Sequence, residues 1–250
     1  MNYDKKLNSK YGLKLVKMFD IPIFGGTKSE VLSIIKDVLA IKKANFWIAT
    51  VNPEFVMKAC EDRDFMQVLR ATNLNIVDGK GLAWAIKKKT GKRVEVVAGS
   101  DLIDDLCKMS ALNNWNMYFL GGFNDRARRT ADYFKAKYKT KVAGFYAGES
   151  VGEDEKILEN LAKKRIDVLF VAYGMKKQEE WIYRNISKLN VGLVVGVGRS
   201  FDYYSGDLKR APIIWRNLGL EWLYSLIKQP QRIKRQLVLP KFVLKVLFQD

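Results

Sequence analysis

Residues 74–81 read LNIVDGKG, and the reading of these eight residues decides the fold. An apolar run with β character stops at Asp78, a Gly-Lys-Gly turn follows, and residues 80–89 carry apolar side chains at helical spacing. That is a strand passing through a tight turn into a helix. Working outward, the same unit recurs. Downstream, VEVVAG (94–99) reads as a strand with Ser100 as N-cap of a helix beginning at Asp101. NMYFLGG (116–122) is followed by a helix capped by Asn124 and running to about Tyr138, and KVAGFY (141–146) by a helix over 153–165. DVLFVAYG (167–174) precedes a helix over 176–189, and VGLVVGVG (191–198) is the last clear strand. Upstream, Thr27-x-x-Glu30 is a capping box opening a helix over 28–42. FWIATVN (46–52) ends at Pro53, a residue suited to a first helical turn, before two short helices over 53–60 and 63–72.

Several of these strands are continuous apolar runs, as expected where helices cover both faces of a sheet. Alternating strands and helices of this kind predict an α/β protein with a Rossmann-like, mostly parallel sheet. After Ser205-Gly206 the alternation stops. Residues 212–228 read as helix, Pro230 interrupts, and QRIKRQLVLPKFVLKVLF (231–248) brings no further strand. The expected organisation is a core over 1–205 and a helical C-terminal appendage over 206–250.

A chain of 250 residues with 48% hydrophobic and 12% aromatic content can bury a sizeable core. Cys60 and Cys107 lack C-x-x-C spacing, so a disulfide framework or zinc site is not expected. The charged N-terminus lacks the apolar stretch of a signal peptide, and no apolar run approaches the roughly 20 residues of a spanning helix. A soluble or peripheral protein is expected. The net charge of +17 suits a polyanionic partner: nucleic acid, an anionic membrane surface or phosphorylated substrates. From Lys209 to Asp250, nine Lys and Arg oppose Glu221 and Asp250 alone. This tail is too short to span and too apolar for a solvated arm, so it suits a lipid interface, an oligomer interface or docking on the body.

Ligands of open parallel sheets bind beyond the carboxyl ends of the strands. Thr50, Asn52, Asp78, Gly121, Gly122, Gly174, Gly198 and Asp202 all fall at or just after such ends, and Gln178 lies in the first turn of the following helix. Asp78 is the sharpest candidate. A carboxylate closing an apolar strand is partly desolvated, which raises its pKa and makes it a better base. The alternative is an N-cap for the 80–89 helix. With no histidine in the chain, a general base must be Asp, Glu, Lys, Tyr or Cys. The turns at Gly79-x-Gly81 and Leu120-Gly-Gly122 can aim backbone N–H groups at phosphates, although glycine there is also ordinary turn chemistry. Neither carries the dinucleotide fingerprint, and no Walker A motif occurs, so no nicotinamide cofactor is expected. Asp62-Arg-Asp64 is a literal D-x-D, but it falls between two predicted helices and reads as a helix cap rather than a metal site.

Taken together, several motifs resemble the bacterial WecG/TagA/CpsF glycosyltransferase family. They include Thr50-Val-Asn-Pro-Glu54, Val77-Asp-Gly-x-Gly81, Tyr118-Phe-Leu-Gly-Gly122, Lys177-Gln-Glu-x-Trp-Ile182, Gly196-Val-Gly198 and Phe201-Asp202. Lys209-Arg-Ala-Pro212, Trp215-Arg-x-Leu-Gly-Leu-Glu-Trp-Leu-Tyr224 and Pro230-x-Arg-x-x-Arg235 complete the set, in consistent order over roughly 20–245. The resemblance implies an inverting, metal-independent enzyme without a cofactor. It would move N-acetylmannosamine or a related sugar from a UDP-sugar to a polyprenyl-diphosphate-linked sugar. The setting would be teichoic acid or surface polysaccharide synthesis, peripherally at the cytoplasmic face of the membrane, with no nucleic acid partner. It further implies Asp78 as the base, Thr50 near the reacting sugar and Gln178 in the pocket. Asp202 would lie near the nucleoside, and Arg232 and Arg235 would meet the lipid-linked diphosphate. Self-association is left open. The chain departs from the family pattern at Arg199, where glycine is usual, and at Val96, Ser225 and Glu149. A basic α/β protein that binds nucleic acid without catalysis is the alternative, although no RRM, KH or zinc-finger pattern supports it.

Overall fold

The computed structural model describes residues 14–41, 44–148, 151–233 and 237–248. Its centre is a six-stranded sheet of β3 (Phe46–Val51), β4 (Leu74–Val77), β5 (Asn116–Gly121), β6 (Lys141–Tyr146), β7 (Ile166–Ala172) and β8 (Val191–Gly196). The strand order is β4-β3-β8-β7-β5-β6, and every neighbouring pair is parallel. β3, β4, β5 and β8 are buried along their whole length, which explains their mostly apolar sequences. Successive side chains feed opposite faces: Trp47, Ala49 and Val51 enter one apolar cluster, Phe46 and Ile48 the other.

Helices cover both faces. They are α1 (Lys28–Ala40), α2 (Pro53–Glu61), α3 (Arg63–Arg70), α4 (Lys80–Thr90), α5 (Gly99–Asn113), α6 (Arg126–Tyr138), α7 (Asp154–Ala162), α8 (Lys177–Asn185) and the short α9 (Ser200–Tyr204). The Thr27–Glu30 capping box opens α1 as expected. Asn52 caps α2, accepting from the Glu54 and Phe55 N–H groups, with Pro53 in its first turn. Asp62 caps α3, accepting from Phe65 N–H at 3.1 Å, and pairs with Lys176 at 2.8 Å. These bonds hold its carboxyl down at about 2. The Asp62-Arg-Asp64 stretch is thus a helix start.

Several readings need correction. Asn124 does not cap the helix after β5: Asp125 holds the N-cap of α6, without a side-chain bond, and Asn124 turns the chain before it at a φ of 55°. VEVVAG forms no strand: residues 92–98 are irregular, joined to β4 by the Val97 N–H to Val77 carbonyl bond at 2.8 Å. The helix after it begins at Gly99, so Ser100 lies inside the first turn rather than capping it. An unpredicted antiparallel hairpin, β1 (Leu15–Met18) with β2 (Ile21–Phe24), precedes the sheet and is tied to β4 by Asn75 Nδ2 donating to the Pro22 carbonyl at 2.9 Å.

Beyond residue 206, the expected helix over 212–228 is broken at Gly219, whose φ of 77° is left-handed, into α10 (Ile213–Leu218) and α11 (Glu221–Lys228). The last helix, α12 (Val238–Phe248), docks on the body against α2 through buried Phe242 and Val246. Its other side leaves Leu244, Leu247 and Phe248 exposed. No described helix is long and apolar enough to cross a membrane.

Candidate active site

Two adjoining cavities open at the carboxyl ends of the strands. The smaller, about 220 Å³, is lined by Thr50, Asn52, Asp78, Gln178, Arg199 and Glu221 among others. The larger, about 1000 Å³, is bounded by Gly122, Arg126, Tyr146, Tyr173, Arg199 and Asp202. Gly174, Met175, Gly198 and Arg199 belong to both, so the cavities form one continuous cleft.

Asp78 directly follows β4, its N–H bonded to the Val51 carbonyl at 2.7 Å. It does not cap α4, where Gly79 occupies the N-cap without a side-chain bond. Instead its carboxyl accepts from the Gly99 N–H at the start of α5. Burial is the main cause that lifts its pKa to about 7, and Glu221 and Asp101 add to the rise. Arg210 and the Gly99 N–H oppose it. A carboxyl that ionises near neutrality beside an open cleft is poised as a base.

Thr50 is buried beside it, its hydroxyl donating to the Gly196 carbonyl at 3.0 Å. Gly99 lies so close that a Cβ there would sit 3.1 Å from the Thr50 methyl. Gln178 spans the turn after β8: its Oε1 accepts from Gly198 N–H at 3.0 Å, and its Nε2 donates to Glu179 at 2.6 Å. Glu179 is fully buried, which is the main reason its pKa rises to about 8, and it also accepts from the Lys176 N–H. Asp202 accepts from Arg126 and from Arg199, each at 2.9 Å. Its carboxylate therefore arms the large cavity with two oriented guanidinium groups. Arg199 also donates to Gln229 at 3.1 Å, reaching the segment after α11.

The structure thus gathers Thr50, Asn52, Asp78, Gln178, Gly122 and Asp202 around one cleft. Gly121 does not line it. It ends β5 at a φ of 95°, where an added Cβ would meet the Ala172 backbone at 2.9 Å, so glycine there permits close strand packing. Arg235 and the side chain of Arg232 lie outside the described residues, as does Glu149. Val96 packs on the core edge. Arg126 was not singled out from the sequence, and Glu179, Arg210 and Glu221 fell within quoted motifs without being given a role. Isolated arginines and glutamates read as surface charge, and only the juxtaposition of distant segments gives them a site.

A near-neutral carboxyl in a small cleft, continuous with a larger arginine-edged cavity, fits a glycosyltransferase, the class that the family comparison shows. Residues 16–250 match the glycosyl transferase WecG/TagA/CpsF family, and the chain belongs to that family. It is 29% identical over 232 residues to the N-acetylglucosaminyldiphosphoundecaprenol N-acetyl-beta-D-mannosaminyltransferase of Bacillus subtilis (strain 168), covering 92% of this chain and 90% of that protein. The protein of the same name from Staphylococcus aureus (strain MW2) is 28% identical over 202 residues, covering 81% and 80%.

Proposed function

We propose that this enzyme transfers N-acetylmannosamine, or a closely related sugar, from a UDP-sugar to a polyprenyl-diphosphate-linked N-acetylglucosamine. The step would serve teichoic acid or related surface polysaccharide synthesis at the cytoplasmic membrane face. Asp78 carries the reading: a half-dry carboxyl with a pKa of about 7, lining the smaller of the two joined cavities. As base it takes the proton of the acceptor hydroxyl while that oxygen bonds the donor's anomeric carbon. The carbon–oxygen bond to the diphosphate breaks, and UDP leaves with the electron pair. The relatives' names specify a β-linked product. From an α-linked nucleotide sugar, that outcome demands inversion, hence one displacement and one base.

The larger cavity suits the nucleotide, with Arg126 and Arg199 positioned to meet charge on the departing diphosphate. Cationic side chains doing this work support a metal-independent reaction, as does the commitment of Asp62 to a helix cap. Thr50 and Asn52 would border the reacting sugar, and residues 206–250, with Arg232 and Arg235, would handle the lipid-linked acceptor and the anionic membrane surface. The test is UDP release by the purified chain across a panel of UDP-sugars with a short-chain lipid-diphosphate acceptor. Turnover should require both substrates, survive a chelator, and yield the β anomer by NMR. Absence of acceptor-dependent UDP release with every donor would overturn the reading.

A further inference from the structure

A second concavity lies away from this cleft. The cleft uses Asn52, Glu54 and Phe55 from the start of α2, whereas a groove of about 740 Å³ takes Ala59 and Cys60 from its end. The groove runs between the β1–β2 hairpin tip, the α2–α3 junction, the last turn of α4 and α12. Lys17, Arg63, Arg70, Lys89 and Lys245 line it, and Asp20 is the one carboxylate among the described residues of the lining. Asp20 is bound to Lys17 at 2.7 Å and lies 3.7 Å from Arg70, so the described lining carries more cations than carboxylates.

The hairpin tip is strained. Phe19 and Asp20 form its two-residue turn with φ of 45° and 67°, both in the left-handed region. Asn-Gly closes such a turn without the steric penalty that a phenylalanine carries there. What the strained turn provides is an aromatic wall. The Phe19 ring centroid lies 5.9 Å from the Lys89 ammonium and 5.1 Å from that of Lys245, gathering cations from two helices, α4 and α12. Strain that persists at a loop tip points to a role beyond folding.

Beside Lys245 on α12, the side chains of Leu244, Leu247 and Phe248 are 55%, 46% and 82% exposed. A cationic recess flanked by an apolar row matches an anionic head joined to hydrocarbon. A soluble anion or a nucleic acid would leave that row bare. We propose that this groove binds the phosphate headgroup of an anionic phospholipid while the outer face of α12 enters the acyl boundary. The proposal rests on the membrane-surface part of the functional reading and on none of its chemistry. It adds an attachment point away from the catalytic cleft.

The test is binding of the full chain to phosphatidylglycerol–phosphatidylcholine vesicles. The triple variant Arg63→Gln, Lys89→Gln, Lys245→Gln is compared with a charge-matched control, Lys108→Gln, Lys135→Gln, Lys163→Gln, at exposed lysines elsewhere. With unchanged melting, the groove variant should partition about a hundredfold more weakly, corresponding to the roughly 3 kcal/mol that three interfacial cations contribute. The control should lose only a few-fold. Equal losses in both variants, or none in either, would overturn the proposal, since diffuse charge would then explain binding. So would inorganic phosphate filling the groove while vesicle binding ignored headgroup charge. Vesicle binding is read without turnover, so an inactive parent chain would sink the catalytic reading and leave this one to be decided by its own data.

Discussion

Asp78 ionises near pH 4 in an unfolded chain and at about 7 in the fold. Between those values the native state keeps a proton that the unfolded chain has released, so this group's effect on stability turns unfavourable as pH rises through that window. Above pH 7 the full cost persists, roughly 4 kcal/mol. Asparagine removes the ionisation and still offers an oxygen to the Gly99 N–H. Asp78→Asn should therefore lose about 10²–10⁴-fold in turnover. It should also melt above the parent at alkaline pH, with the advantage vanishing towards pH 4. Full turnover in the variant would remove Asp78 as base, and a pH-independent melting difference would remove the buried-carboxyl account. Arg199 makes a separate claim. Arg199→Gln should weaken UDP binding by about tenfold, a lost charge-assisted bond, in a calorimetric titration that Asp78→Asn leaves unchanged. Asp78 was legible because a strand end, a glycine turn and the absence of histidine all converge on it. Its partners were not, since Gly99, Arg210 and Glu221 reach it only through the fold.

At the scale of elements, legibility followed burial. Strands covered on both faces wrote themselves as mostly apolar runs, and β3, β5, β7 and β8 fall within a residue or two of their expected places. The hairpin was hidden because its strands are four residues each and its turn holds Phe19-Asp20, with none of the glycine or asparagine that marks such turns. VEVVAG misled for the converse reason: β-branched residues favour extension, but 92–98 makes one ladder bond to β4 and stops. The tail's amphipathic pattern was visible, while the side that docks was not. α12 has 11 residues, too few to hold a helix alone in water, and the two residues it buries are Phe242 and Val246, one turn apart. Phe242→Ala should cost about 3 kcal/mol of docking. Because the sheet's core is left intact, hydrogen exchange should quicken across 238–248 while the main melting transition moves little. Protection unchanged over those residues would show that α12 is held by something other than this side chain.

The whole molecule couples its two ends through the base. Arg210 and Glu221 follow the last strand by more than a dozen residues, yet Glu221 folds back to line the cleft and Arg210 to act on Asp78. Arg210 donates to both carboxylate oxygens of Asp101 in α5, at 2.5 and 3.2 Å, and lies 3.5 Å from Glu221. The charges acting on Asp78 are thus Glu221 and Arg210 from the C-terminal segment and Asp101 from α5. Glu221 raises its pKa and Arg210 lowers it, so the seating of that segment sets how readily the base ionises. Glu221→Gln removes one raising charge and keeps the side-chain volume. Arg210, released from one acidic neighbour, is left freer to stabilise the Asp78 carboxylate. Both effects act in the same direction. The acidic limb of kcat/KM, expected near pH 7 in the parent, should move to lower pH with its alkaline side unchanged. The rate at pH 6 should rise relative to the plateau. A limb that stayed in place would mean that Asp78 is tuned by burial alone, and one that moved upward would mean that Glu221 holds the cleft open to water.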